Sequence, residues 1–320
     1  MRGARIVAAA VLLLTGVQAQ ADNWPTKPIR VIIPFGAGSA TDVIPRIVLD
    51  KMSAQLGQPI VVENRGGAGG TLGTAMVAKA DPDGYTLLAT SSAHTIAPAL
   101  YPNLSYDAGR DFTAVGVMGS VPNVLIVAPS LGVKTVQEFV AMAKKKPGAV
   151  SFASLGVGSA VHMSAERFRL SAGYEAVHVP FKGGADALTE VMAGRVDYYF
   201  CPIATALPFI QDGKLLALAV SSPTRAAALP DVPTTLEAGF PNSDYTFWIG
   251  MFAPAKTPKD IVAKLNAEIA KAVASPDVKA KLTTLGVSTD VVTPAQYDAL
   301  VKNEFGTYAT FAKTAGMKVN

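Results

Sequence analysis

The chain has 320 residues, enough for two domains of ordinary size. Half of them are apolar and 16% are charged, which excludes a disordered or fibrous chain and leaves a folded globular protein. The formal charge is +4; without the two arginines of the first 21 residues it is 26 basic against 24 acidic residues, or +2, and with the basic residues scattered nucleic-acid binding has no support.

The opening "MRGARIVAAAVLLLTGVQAQA" places Arg2 and Arg5 before the apolar run 6–14 and ends on Ala19-Gln20-Ala21. This is the order of a secretory signal, residues 1–21, cleaved after Ala21 to release an exported protein. The apolar run is too short to span a bilayer. Cys201 is the lone cysteine, so no internal disulfide forms, and "YYFCPI" predicts a buried small hydrophobe there. Three histidines and one cysteine lie too far apart for a metal-site spacing, and no cofactor is expected.

In chain order, "IRVIIPF" (29–35) reads as a buried strand ending at a glycine-rich turn. The helix after it is expected to begin at about Asp42, as N-cap, because Pro45 is tolerated only in a first turn, and to stop at Gly57. A strand at 59–64, a helix, and a strand at 85–92 ending in Ser91 and Ser92 complete a β-α-β-α-β series. That series predicts an α/β protein with a parallel sheet covered on both faces. A second series follows: strand 123–130, helix 136–146, strand 149–154, helix 160–172, strand 176–181, a helix closing at Gly194, "VDYYF", and strand 215–222. Residues 245–258 read as a strand returning to the first sheet, before a helix with apolar residues at 261, 262, 265, 269, 272 and 273. The expected division is one lobe of 24–124 with 247–320 and another of 125–246, joined by crossing strands that serve as a hinge.

Two turns share a spelling, "GAGSAT" (36–41) and "GVGSAV" (156–161), each leading from a strand into a helix. The free N–H groups of a helix's first turn and its dipole make such a turn an anion cradle without any Lys or Arg. One cradle per lobe, facing across a cleft, would grip both ends of a small dianion, or one carboxylate and a polar tail. Both turns lack the third glycine of a dinucleotide fingerprint, and no G-x-x-x-x-G-K-[ST] occurs. His162, one turn into its helix, favours the neutral form and either donates to a ligand or packs. Lys182, before Gly183-Gly184, is the one cation placed to meet an anion; Trp248, Tyr198 and Tyr199 line a cleft or fill the core.

"PFGAGSATD" (34–42), "VVENRGGAGGTLG" (61–73), "GVGSAVHMSAERF" (156–168), "VPFKGGADAL" (179–188) and "LPDVPTTLEAG" (229–239) resemble the Bug-type receptors, the periplasmic solute-binding proteins of the tripartite tricarboxylate transporter family. The resemblance covers essentially the whole chain after residue 21. It implies a two-lobed periplasmic-binding fold, two mixed β-sheets flanked by helices, that closes on a small mono- or dicarboxylate and presents it to a membrane permease. It assigns ligand contacts to Phe35, Ala37, Gly38, Ser39 and Asp42 in the first lobe, with Ser91 and Ser92 at the hydroxyl-bearing strand end. In the second lobe it assigns Ser154, Gly158, Ser159 and His162, then Lys182 and Gly183. In the family a second glycine usually stands where this chain has Ser39, whose Cβ narrows the cradle and whose hydroxyl adds a donor. Two alternatives are a sensor that passes the same closed form to a membrane kinase, and an exported hydrolase. Against the hydrolase, no G-x-S-x-G elbow is present.

Overall fold

The computed structural model describes residues 24–289 and 291–317, so the leader lies outside the described residues. Among the described residues, nine strands and ten α-helices follow one another, beginning β1 (Ile29–Ile33), α1 (Ala40–Leu56), β2 (Ile60–Asn64), α2 (Thr71–Ala78), β3 (Thr86–Ser91), α3 (Ala93–Leu100) and β4 (Phe112–Val127). Then come α4 (Val136–Lys145), β5 (Val150–Ser154), α5 (Ala160–Ala172), β6 (Ala176–Pro180), α6 (Gly184–Met192), β7 (Tyr198–Pro202), α7 (Ile203–Gln211) and β8 (Leu216–Val220). The chain closes with β9 (Thr246–Pro254), α8 (Lys259–Ala274), α9 (Pro276–Thr284) and α10 (Pro294–Thr314).

The strands make two mixed sheets that share β4. In the first, β1 lies parallel between β2 and β3, and β9 runs antiparallel between β3 and β4. In the second, β5 lies parallel between β6 and β7, and β4 is antiparallel to both β7 and β8. Residues 112–122 of β4 pair with β9, and from Asn123 onward β4 pairs with β7 and β8, so one continuous strand passes from sheet to sheet.

Side-chain alternation explains why each sheet needs helices on both faces. Ile29, Val31 and Ile33 of β1 pack with Ile44 and Val48 of α1 and with Leu265 and Ile269 of α8, whereas Ile32 points the other way to Val77 of α2 and Tyr297 of α10. Along β4, Leu125 and Val127 meet Phe139 of α4 and Phe168 of α5, and Val124 and Ile126 meet Leu188 of α6 and Ala206 of α7. Cys201 is buried in that last cluster. Trp248, Tyr198 and Tyr199 are likewise core residues.

Three features depart from the sequence reading. Helix α1 starts at Ala40 with Ser39 as N-cap, so Asp42 is a first-turn acid and not the cap. Pro45 lies inside the helix, where it forgoes the bond to the carbonyl four residues back. The stretch 112–122 is strand, disguised by glycines at its register shifts. A Cβ on Gly116 would stand 2.8 Å from the Asn266 amide nitrogen of α8 and would have to displace it from the Val115 and Val292 carbonyls to which it donates. Helices α3 and α7 carry internal prolines, Pro98 and Pro208, and were not expected.

Candidate ligand-binding site

The two look-alike turns have one geometry. Gly38 and Gly158 sit at φ of 78° and 80°, a left-handed region that glycine enters without steric cost. The serine that follows is extended and caps the helix, Ser39 for α1 and Ser159 for α5. Each serine hydroxyl donates back to the first glycine carbonyl of its loop, Ser39 Oγ to Gly36 at 2.9 Å and Ser159 Oγ to Gly156 at 2.7 Å. The N–H of each left-handed glycine donates to the side chain four residues on, Gly38 to Asp42 Oδ2 at 2.9 Å and Gly158 to His162 Nδ1 at 3.2 Å. Each loop therefore satisfies its own glycine amide and leaves the first two helical N–H groups, Ala40 and Thr41 or Ala160 and Val161, without intrahelical acceptors.

Those four residues line a single narrow cavity together with Phe35, Ser39, Ser91, Leu155, Ser159, Pro202 and Phe247. The two helix N-termini thus face one another across it, at the carboxyl ends of β1 and β5, where ligands of open α/β sheets bind. The closed lobes leave about 10 Å³, room for about one water. The cavity has an apolar wall and polar ends: no charged side chain lines it among the described residues.

The remaining assigned residues divide by position. Asp42 is buried behind the first loop, where it also accepts Arg46 Nε and Asn64 Nδ2, both at 2.8 Å. Ser92 is spent on the Tyr245 hydroxyl at 2.7 Å, away from the cavity wall. Ala37 and Gly38 are exposed at the rim. In the second lobe, the ring of His162 stacks on that of His178 with centroids 4.2 Å apart, and Phe152 stacks beyond them. Burial, then the neighbouring His178 and Arg169, holds the His162 imidazolium down to about 3, and burial holds His178 to about 4. Both rings are neutral at pH 7. His178 Nε2 hydrogen-bonds Ser154 Oγ, which accepts the Gly156 N–H at 3.0 Å. Ser154 and His178 therefore brace the second loop from beneath and do not line the cavity. The Lys182 side chain is exposed; its backbone carbonyl and the Gly183 Cα stand against Gly36 of the first loop.

A serine and a histidine side by side raise the question of a nucleophile. Ser159 gives its proton to a carbonyl and the His162 ring reaches the Gly158 N–H, so the Ser159 hydroxyl has no base; Ser154 does hydrogen-bond the His178 ring, but beneath the loop and outside the cavity wall.

The family model for the tripartite tricarboxylate transporter family receptor matches residues 44–316. The chain belongs to that receptor family. Protein BugT of Bordetella pertussis is 35% identical over 93% of this receptor and 92% of its own length. Among solved structures, Rpa4515 of R. palustris with adipate is 32% identical, covers 92% of the receptor and 100% of its own chain, and superposes with a TM-score of 0.89. MatC of Rhodopseudomonas palustris with bound malate is 35% identical, with 90% and 99% coverage and a TM-score of 0.84. The two sheets and their helices form the two-lobed periplasmic-binding fold, and the family is one of solute-binding receptors, not enzymes.

Seven residues of the receptor's cavity wall, Ala40, Thr41, Leu155, Ala160, Val161, Pro202 and Phe247, carry no ligand assignment from the sequence. Thr41 stood inside a quoted motif. Pro202 and Phe247 belong to strand ends that carry no glycine signature, and only the folded topology brings them to the cleft.

Proposed function

We propose that this periplasmic receptor captures a small mono- or dicarboxylate between its lobes and delivers it to a membrane permease of the tripartite tricarboxylate transporter type. The single observation that carries this reading is the pair of opposed helix N-termini, α1 and α5, opening onto one cavity without an acidic side chain in its wall. Their unpartnered N–H groups and dipoles favour a carboxylate at either end. The apolar residues between, Phe35, Leu155 and Phe247, suit a short carbon chain. Relatives of the same fold hold adipate and malate, which supports the same ligand class here. The residues that touch the ligand are those of the two turns, with Ser91 at the strand end, and export to the periplasm uses the leader cleaved after Ala21. The lobes are residues 24–124 with 247–320, and 125–246.

Isothermal calorimetry and thermal shift with C3–C8 mono- and dicarboxylates, neutral sugars and amines test the reading. A carboxylate alone is expected to raise the melting temperature; stabilisation by sugars or amines with none by carboxylates overturns it.

A further inference from the structure

The lobes touch at the cleft mouth through backbone that bears no side chain. A Cβ on Gly36 of the first loop would stand 2.9 Å from the Lys182 carbonyl oxygen and 3.4 Å from the Gly183 Cα, both in the opposite lobe. Gly36 is not among the positive-φ glycines, so its own backbone accepts a side chain and only the other lobe forbids one. Gly69 is covered by the Val157 carbonyl and the Tyr101 hydroxyl, and a Cβ on Gly156 would stand 3.2 Å from the Gly69 nitrogen. Across this seam the Tyr101 hydroxyl, at the end of α3, donates to the Val157 carbonyl at 2.9 Å. Val157 lies inside the turn whose Gly158 and Ser159 set up the N-terminus of α5.

We propose that Tyr101 latches the closed receptor by donating its hydroxyl proton to Val157, and that the missing Cβ of Gly36 and Gly69 lets the lobes come close enough for it to reach. The inference rests on the carboxylate-receptor reading for its ligand but not for its geometry. With the lobes apart, the Tyr101 hydroxyl and the Val157 carbonyl both return to water, so removing the hydroxyl costs the open form nothing. The closed form alone loses a hydrogen bond and keeps a half-buried carbonyl without its donor. A latch of this kind slows ligand escape without touching the ligand, because escape requires the bond to break first.

The test compares wild type with Tyr101→Phe and Gly36→Ala, using malate and adipate as probes in stopped-flow binding. Tyr101→Phe is expected to speed dissociation roughly three- to tenfold with an unchanged association rate and an unchanged melting temperature without ligand. Gly36→Ala is expected to weaken binding by more than about tenfold, again with no loss of ligand-free stability, since its obstacle exists only on closure. Small-angle scattering reads the latch apart from the ligand: both variants must shift the compact population of the unliganded protein toward the open form. Dissociation and scattering that match wild type overturn the latch. Failure of wild type itself to bind any carboxylate overturns the functional reading, and the scattering comparison then decides the latch alone.

Discussion

Asp42 and His162 hold equivalent places in the two turns, each accepting the N–H of the glycine four residues before it, yet one turn further along their helices the neighbours have opposite charge. Behind Asp42 stands Arg46, whose Nε donates to the carboxylate at 2.8 Å. Behind His162 stands the buried Glu166, held by Arg169 Nη2 at 2.6 Å. The first cradle is thus backed by a paired anion and the second by a neutral ring. A carboxylate at 162 would have no cation of its own such as Asp42 has in Arg46, because Arg169 is already paired with Glu166.

Substitutions at 162 follow from this. His162→Asn keeps a neutral acceptor for the Gly158 N–H and is expected to hold carboxylate affinity within a few-fold. His162→Leu leaves that buried amide unsatisfied, costing about 1–3 kcal/mol, and His162→Asp buries a carboxylate without a partner cation and costs at least as much. Urea unfolding and calorimetry check the order. Equal affinity and stability for the Asn and Leu variants would remove the acceptor role.

The histidines also set the acid limit of the fold. Burial lowers His94 to about 4, partly opposed by its bond to the Ala108 carbonyl, and His162 to about 3. The folded values lie below the ordinary 6.5, so between pH 6.5 and about 3–4 the unfolded chain binds more protons than the folded one. Stability is fully present above 6.5 and drains as pH falls through that window, by on the order of 1 kcal/mol per pH unit for each fully buried ring. Glu304 works in the opposite sense, because burial raises its carboxyl, but it is one group. Chemical denaturation at pH 7.0, 6.0 and 5.0 should show a monotonic loss, and His94→Gln should flatten it. A rise toward pH 5 contradicts the assignment of neutral buried rings.

Much of this was legible in the sequence. β-branched runs ending in glycine gave β1 and β2, and the repeated Gly-x-Gly-Ser spelling gave two turns that do share a geometry, because a left-handed glycine before an N-cap serine leaves the backbone few alternatives. What stayed hidden has physical reasons. Phe112–Pro122 is strand despite Gly116 and Gly119, since those glycines answer to close contacts with Asn266 and Val287, distant in sequence. The hydroxyls of Ser39 and Ser159 looked like donors for a ligand, but their protons are committed to Gly36 and Gly156, and which acceptor a hydroxyl chooses is decided by loop closure. The roles of Asn64, behind the first turn, and Tyr101, across the mouth, depend on contacts 22 and 56 residues away in the chain.

Lys182 offers a test of whether charge or backbone does the gripping. Its side chain is exposed and does not line the cavity, whereas its carbonyl oxygen faces Gly36. Lys182→Ala should therefore leave affinity within about twofold, and Kd should vary by a similar factor between low and physiological salt, since a desolvated cradle of N–H groups is screened far less than a surface charge. A tenfold loss on either change would place an ion pair at the centre of recognition.

Asp42 makes the converse prediction, of a residue that does not line the cavity yet controls one of its ends. Its carboxylate receives Gly38 N–H, Arg46 Nε and Asn64 Nδ2, and Asn64 in turn donates to the Phe35 carbonyl at 3.0 Å while accepting Arg46 Nη2 at 2.8 Å. The first turn is thus tied to β2 through one buried acid. Asp42→Ala strands three donors at once; because Arg46 is partly exposed and can turn to water, the expected loss is about 2–3 kcal/mol, below that for a fully buried pair. Asp42→Asn keeps one acceptor for Gly38 but turns its amide protons toward Arg46 and Asn64, so it should fall between wild type and Asp42→Ala in urea unfolding. Carboxylate affinity should fall in the same order, since the loop that aims Ala40 and Thr41 loosens with it. If both variants unfold within about 0.5 kcal/mol of wild type, the first cradle is held by Ser39 and Gly36 alone, and the acid behind it is dispensable.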